Sequence, residues 1–312
     1  MKLHTILGAG GAVGNQLLPV LLQNNEKVRL VSRKPNSPSN AEAIAADVTD
    51  YKQTLSAVKG SGVVYLVVGL AYDIRVWKES WPKIMTNAID ACKETGSKLI
   101  YFDNLYMYGK VDGMMTEETP FNPISKKGEI RAAIATQLLN EMKAGKIQGM
   151  IARAADFYGP IGFNTSIPNM LVFLNLKKGK RAQWLVNAKM PHSLTYVPDA
   201  AEALYRLADR DDAFGQTWHM PVANNPLTGE EFIKEAAKAM KAKDNYSVIS
   251  KPMMKIGGLF NRPIKESVEM VYQSEFPYLF DSSKFNKAFN FRPTPYPDGI
   301  RETAKWTLEQ KV

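Results

Sequence analysis

Residues 6–18 read ILGAGGAVGNQLL. Gly8, Gly10, Gly11 and Gly14 stand between an apolar run, KLHTILG (2–8), and a segment of helical periodicity over 12–24. A short apolar run that breaks into glycines predicts a buried strand. Leu17, Val20, Leu21 and Leu22 supply the buried side of the next helix. Pro19 sits inside that helix and removes a hydrogen bond, so the pattern predicts either a kink or an earlier boundary. The chemistry of such a turn is specific. Gly8 permits the tight bend, Gly10 or Gly11 lets the backbone approach a pyrophosphate, and Gly14 lets the helix pack close to the strand. The opening N–H groups of the helix, at Ala12 and Val13, and its positive dipole end then face the phosphates. Opening a clear βαβ unit, the glycine pattern carries far more weight than it would alone.

The rest of the first half repeats that alternation. Strands are expected at VRLVSR (28–33), AIAAD (43–47), VVYLVVG (63–69), KLIYFD (98–103) and GMIARA (149–154). Helices are expected near 50–59, over 77–94 with a stop at Gly96, and near 126–144. Repeated βα units predict an α/β fold, a Rossmann-type doubly wound parallel sheet. The expected division is a dinucleotide-binding domain over 1–160 and a mainly substrate-binding lobe over 161–312. Residues of about 191–222 would return to the main sheet through a strand near 193–197. The second half is less regular. A helix stands out over 229–241, and loops rich in Met, Phe and Pro at 252–263 and 276–280 either fill core or wall a pocket.

The end of the second strand discriminates between cofactors. NAD-preferring sites carry a carboxylate there for the ribose 2′-hydroxyl. This chain has Val31-Ser32-Arg33-Lys34 instead, and the Arg33 fork suits a 2′-phosphate. NADP is therefore expected over NAD, with Ser32 and Arg33 as contacts. Asp47 and Val48, after the third strand, stand where an adenine amino group would be met, although Asp47 can equally cap the next turn. Gly69, after the fourth strand, completes the expected cofactor rim.

Composition sets outer limits. Of the 312 residues, 45% are hydrophobic, which suits a packed core. No apolar run approaches the ~20 residues of a membrane-spanning helix, so no membrane partner is expected. Cys92 is the sole cysteine, which excludes an internal disulfide and makes the cytoplasm the simplest compartment. The formal charge of +9 attracts anions in general. Its basic residues are dispersed, and no zinc-finger spacing, RNA-recognition motif or aromatic–basic alternation accompanies them, so nucleic acid is not the expected partner. A small-molecule substrate is. No cluster has metal-ligand spacing and there is no Gly-x-Ser-x-Gly elbow.

Beyond the glycine loop, several motifs carry a resemblance. The chain is similar to the extended short-chain dehydrogenases/reductases, the nucleotide-sugar epimerase and dehydratase superfamily, nearly end to end. GxxGxxG matches Gly8, Gly11 and Gly14. YFDNLYMYG (101–109) resembles the fifth strand and its Tyr-Gly turn, TEETPFNP (116–123) the acidic-proline loop, and RAADFYGP (153–160) the Arg-containing strand and Tyr-Gly-Pro turn. SLTYVPDAAEAL (193–204) and FNKAFNFRPTPYPDGIRETAKW (285–306) resemble later landmarks. The resemblance implies a nicotinamide cofactor, a sugar-type or other carbonyl/alcohol substrate, and a homodimer built through two helices. It also implies a Tyr that moves a proton at a substrate oxygen, a Lys four residues on that holds the nicotinamide ribose, and a Ser or Thr that holds the oxygen.

This chain departs from that triad at all three positions. Asn104 replaces the Ser/Thr. In PISKKGEIRA (123–132), Lys127 stands in place of the Tyr and Arg131 in place of the Lys. Asn104 can still bond an oxygen, Arg131 can bond ribose hydroxyls, and Lys127 can act as acid, base or fixed cation. Lys126 is a rival if the helix is rotated. Tyr106 is a second candidate for the missing phenol. Tyr108, Asp156 and His192 are candidate substrate contacts, with Arg153 a structural partner for Asp156. Two readings remain open: an enzyme with an altered site, or a non-catalytic NADP-binding regulator or scaffold.

Overall fold

The computed structural model describes residues 2–36 and 40–311. The chain divides into two compact units. The first comprises Met1–Met107, Lys126–Arg153 and Ala200–Trp218; the second comprises Tyr108–Ser125, Ala154–Asp199 and His219–Val312.

The first unit is built on a seven-stranded sheet. Its opening strands are β1 (Leu3–Leu7), β2 (Lys27–Ser32), β3 (Glu42–Ala45), β4 (Val63–Leu66) and β5 (Lys98–Asp103). From edge to edge the order is Thr217–His219, Gly149–Arg153, β5, β4, β1, β2, β3. Neighbours from β3 to Gly149–Arg153 pair in parallel, with Ile6 beside Leu30 on one side and Tyr65 on the other. The strands are buried on both faces, so they read as continuous Val, Ile and Leu runs rather than alternating ones. Ile6, Leu7, Val31, Leu66, Ile100 and Ile151 are fully buried. The order reverses direction at β1, between β2 and β4, which is where ligands bind in sheets of this kind. The doubly wound fold expected from the sequence is the one found.

Helices α1 (Ala12–Gln23), α2 (Tyr51–Val58), α3 (Ile74–Thr95) and α4 (Lys126–Lys143) connect these strands. Asp50 and Asp73 cap α2 and α3 through their side chains, and Gly96 ends α3 in the left-handed region. Pro19 does not shorten α1, and Pro82 lies inside α3 in the same way. Both prolines are on exposed faces, as are Asn15 and Lys78 four residues before them. Water can therefore satisfy the carbonyls that lose their helical partners, which lowers the cost of each proline.

In the second unit, Tyr158, Phe173, Trp184, Phe232 and Tyr296 form an aromatic core. A capping box, Thr228 with Glu231, opens the helix Gly229–Ala239. Three short parallel pairs complete the unit, among them Asp156–Tyr158 with Leu194–Tyr196. The strand expected near 193–197 therefore forms outside the seven-stranded sheet, and the chain returns to that sheet at Thr217–His219. The expected loop at 252–263 is also corrected. It holds two helices, Lys251–Phe260 and Arg262–Ser267, opened by Ser250 and Asn261 caps with Pro252 and Pro263 in their first turns. Proline there marks a helix start, since the first N–H groups have no helical partner to lose. Lys177 donates through Nζ to the carbonyls of Thr307, at 2.6 Å, and Leu308, at 3.1 Å, at the C-terminal end of the helix Tyr296–Glu309. A cation there complements the helix dipole.

One buried histidine makes the stability of the first unit depend on pH. His4 has Nδ1 2.9 Å from the Tyr65 hydroxyl, and burial lowers its pKa from 6.5 to about 4. Its stabilising contribution is complete above pH 6.5 and is lost as pH falls towards 4. The Glu26 carboxylate 3.5 Å from Nε2 favours the protonated ring and trims the effect. The expected loss is roughly 2 kcal/mol over that window, and His4→Phe should flatten it in urea titrations at graded pH.

Candidate functional site in the glycine turn and a buried cation pair

The turn after β1 is shaped by one close approach. Gly8 has φ +103°, and a Cβ there would lie 2.7 Å from the Val68 backbone. Its N–H and that of Ala9 both donate to the Val31 carbonyl, which binds the turn to the end of β2. At Gly14 a Cβ would meet the Gly8 carbonyl at 3.2 Å, so α1 starts close against the turn. Gly10 differs. Its φ is +90°, but a Cβ would project into open space. Gly11 is the N-cap of α1 and no side chain caps the helix, so the first N–H groups, at Ala12 and Val13, are left for a ligand or solvent. The turn thus offers an uncapped helix start beside open volume.

At the C-terminal end of β2, Arg33 and Lys34 are exposed and with Ser32 line an open cavity of about 500 Å³. Asp47 is engaged locally. Its Oδ1 accepts from the Thr49 N–H at 2.9 Å and the Thr49 hydroxyl at 2.7 Å, and these bonds lower its pKa. The Val48 carbonyl accepts from Asn87 Nδ2 at 3.0 Å. Gly69 is exposed in open space.

The two residues of α4 that replace the expected Tyr and Lys both face inward. Lys126 is exposed, whereas Lys127 is 0% exposed and Arg131 is 7% exposed, one turn apart on the same face. This settles which lysine of the pair enters the interior. Lys127 Nζ lies 4.7 Å from the centre of the Tyr72 ring. The ring's negative face offsets part of the cost of burying a cation. Arg131 stacks over Trp81 at 4.0 Å and Trp77 at 4.8 Å. Its Nη1 donates to the Tyr101 hydroxyl at 2.6 Å and to Asp103 Oδ1 at 3.3 Å. Arg153 Nε stands 3.9 Å from Asp103 Oδ2, so Asp103 faces a second guanidinium within the first unit. Burial raises the pKa of Asp103, opposed by the two guanidiniums.

Asn104 is the next residue. Its backbone N–H donates to Asp103 Oδ1, and its side-chain oxygen accepts from the Tyr106 N–H at 3.0 Å. Among the described residues its amide NH₂ has no hydrogen-bond acceptor. The half-buried Tyr106 ring stacks on Trp77 at 6.3 Å. Lys127, Arg131, Asn104 and Tyr106 are thus gathered in the first unit around Tyr72, Trp77, Trp81 and Tyr101. Those four aromatics and Asp103 were not anticipated as site-forming. Trp77 and Trp81, four apart on α3, and the terminal Asp of a buried strand were the available signals.

The remaining candidates lie in the second unit. Tyr108 is fully buried and its hydroxyl lies 2.9 Å from His219 Nε2. His219 Nδ1 donates to the Asp281 carbonyl at 2.7 Å, so Nε2 is the acceptor and Tyr108 the donor. Asp156 and His192 form a pair at 3.0 Å, with His192 stacked on Tyr278 at 4.9 Å.

Removing the Asp103 carboxylate would leave two buried guanidiniums uncompensated. Asp103→Ala is therefore expected to cost about 3–5 kcal/mol in chemical denaturation. Gly8→Ala should lower stability by at least about 1–3 kcal/mol, since it combines backbone strain with a clash against Val68. Gly10→Ala carries strain alone and should be the milder change.

Comparison with known proteins places this geometry in a lineage. Mouse 3 beta-hydroxysteroid dehydrogenase type 7 is 25% identical over 227 residues, 64% of this chain and 61% of that protein. dTDP-glucose 4,6-dehydratase of Neisseria gonorrhoeae is 21% identical over 212 residues, 66% of this chain and 58% of that protein. The chain thus spans about three fifths of the length of these curated relatives. The crystal structure of Thermus thermophilus UDP-glucose 4-epimerase in complex with NAD superposes with a TM-score of 0.80 at 17% identity, covering 98% of this chain and 99% of that one. That of dTDP-glucose 4,6-dehydratase from Bacillus anthracis in complex with NAD gives 0.81 at 15% identity, covering 98% and 96%. The sequence model of the NAD dependent epimerase/dehydratase family matches residues 4–222, more than half of the chain. With its glycine turn, strand order and landmark motifs, this chain belongs to the NAD dependent epimerase/dehydratase family.

Proposed function

We propose that the chain is an NADP-dependent oxidoreductase or epimerase/dehydratase-like enzyme acting on a small carbonyl, alcohol or sugar-type substrate. The reading rests on the rim of β2, where Ser32, Arg33 and Lys34 line one cavity with no carboxylate among them. The residues present fit a dinucleotide. The open volume beside Gly10 and the uncapped start of α1 suit a pyrophosphate, and Arg33 suits a 2′-phosphate bidentately. The Thermus and Bacillus structures hold NAD, and the NADP reading for this chain rests on Arg33 at the end of β2, where an NAD-preferring site carries a carboxylate. In this reading the first unit is the cofactor domain and the second shapes the substrate site.

When bound, the nicotinamide supplies the hydride chemistry. The chain's own contribution is acid–base and positional. Lys127 moves a proton at the substrate oxygen or holds charge developing on it, and the Asn104 amide hydrogen-bonds that oxygen. Tyr106, beside Trp77, is the rival proton carrier. Arg131 keeps α4 in register through Tyr101 and Asp103. That commitment of Arg131 also favours a second reading, a binding protein without turnover, because a cation already held by a buried carboxylate and a phenol has less to offer a ribose.

Titration calorimetry should find NADPH bound more tightly than NADH. Arg33→Ala should weaken NADPH by about ten-fold, the scale of one charge-assisted contact, and leave NADH unchanged. Tighter NADH binding would overturn the NADP assignment. Lys127→Met keeps the volume and removes the charge. It should lower substrate-dependent nicotinamide oxidation by at least about 100-fold with little change in the unfolding midpoint. Undiminished turnover would remove Lys127 from the chemistry. NADPH binding without turnover across carbonyl, alcohol and sugar-nucleotide panels would support the binding-protein reading.

A further inference from the structure

We propose that the helical hairpin 250–267 of the second unit is a peripheral docking element for an anionic lipid surface. The sequence KPMMKIGGLFNRPIKES (251–267) folds into the helices Lys251–Phe260 and Arg262–Ser267, joined through Asn261. The hairpin is tight because of its glycines. A Cβ on Gly258 would lie 2.9 Å from Lys265 Cα, and one on Gly257 would lie 3.5 Å from Ile264 Cδ1. Met254 is buried, and it anchors the inner side.

The outer side is unusual. Leu259 is 78% exposed and Phe260 is 88% exposed, the two most exposed large apolar side chains described, and they sit together at the hairpin tip. Met253 and Ile256 are each more than half exposed, and with Phe260 they recur at i, i+3 and i+7 along one row. Single exposed apolar residues are ordinary, but a contiguous set marks a surface that meets something.

Charge selects the occupant. From Ser250 to Lys265 the chain carries Lys251, Lys255, Arg262 and Lys265 and no acidic residue. Glu275 pairs with Lys251 at 2.6 Å and Glu266 approaches Arg262 at 3.8 Å. Lys255 and Lys265 are exposed and have no ion-pair partner among the described residues. A second copy docked on the same face through a two-fold axis would set cations against cations. An exposed apolar tip on a hairpin that carries four cations and no acidic residue from Ser250 to Lys265 matches a bilayer interface instead. An amphipathic segment lies there with its apolar side sunk about 5–10 Å below basic residues that meet anionic headgroups. No described helix is long and apolar enough to cross a membrane, so the element rests on the surface rather than spanning it. This departs from the expectation of no membrane partner, which rested on the lack of a spanning run.

The test uses the full chain with vesicles of phosphatidylcholine alone and of phosphatidylcholine mixed with phosphatidylglycerol. Sedimentation should carry at least about ten-fold more protein down with the anionic vesicles, and raised salt should weaken the association. The double change L259S/F260S should abolish it. K255E/K265E should remove the preference for the anionic vesicles. Both pairs are exposed, so their thermal unfolding should match that of the parent chain. As a reporter that keeps the tip apolar, Phe260→Trp should show a blue-shifted emission component with anionic vesicles only. Absent or equal association with both vesicle types would overturn the proposal, as would anionic binding that survives L259S/F260S. So would a concentration-dependent self-association, lost in L259S/F260S, in a chain that ignores vesicles.

Discussion

The Asp103 carboxylate is the contact on which the site in the first unit depends. It ends β5, receives Arg131 from α4 at 3.3 Å, and faces Arg153 at the end of the next strand. Three elements are tied at one point that is closed to solvent. Ionising a carboxylate there is costly, and the two guanidiniums offset that cost only while all three elements keep their places. The same point orients the next few residues, because Asp103 also accepts from the Asn104 N–H and Asn104 then holds the Tyr106 N–H. A buried charge cluster is a weak source of net stability. It is better understood here as fixing the register of α4, and therefore the depth at which Lys127 sits.

That register gives Lys127 and Arg131, which stand where the resemblance led to the expectation of a Tyr and a Lys, a common physical setting. Side chains one turn apart on a helix share a face, so the two cations enter the same interior. They are accommodated differently. Arg131 has a flat guanidinium that stacks on Trp81 and Trp77 while reaching Tyr101 and Asp103. Lys127 has a compact ammonium beside the Tyr72 ring. The aromatic residues of the β4–α3 connection and of α3 make both burials tolerable, and so the pair brings its own surroundings with it.

Much of this architecture was legible in the chain. The glycine turn, the apolar runs and the caps are local signals, set by backbone sterics and by the period of buried residues, and they carried the doubly wound fold. The one local misreading was the loop at 252–263. Pro19 and Pro82 stay inside helices because their faces are solvated, and 252–263 is helical because its prolines sit where helices begin. The site was less legible. Lys126 and Lys127 are adjacent and chemically identical, and only the phase of α4 against the sheet separates an exposed ammonium from a buried one.

The sequence by itself determined the strand–turn–helix unit at Gly8–Gly14, the family, and the lysine–arginine pattern of PISKKGEIRA (123–132). Each of these depends on residue identity over a few neighbouring positions. Only the tertiary structure decided that Arg131 is held by Asp103 and Tyr101, that Arg153 faces Asp103, and that Tyr108 gives its hydroxyl to His219. Those pairings join residues far apart in the chain. They arise from the order of strands in the sheet and the packing within each unit, which bring buried polar groups to the partners they need.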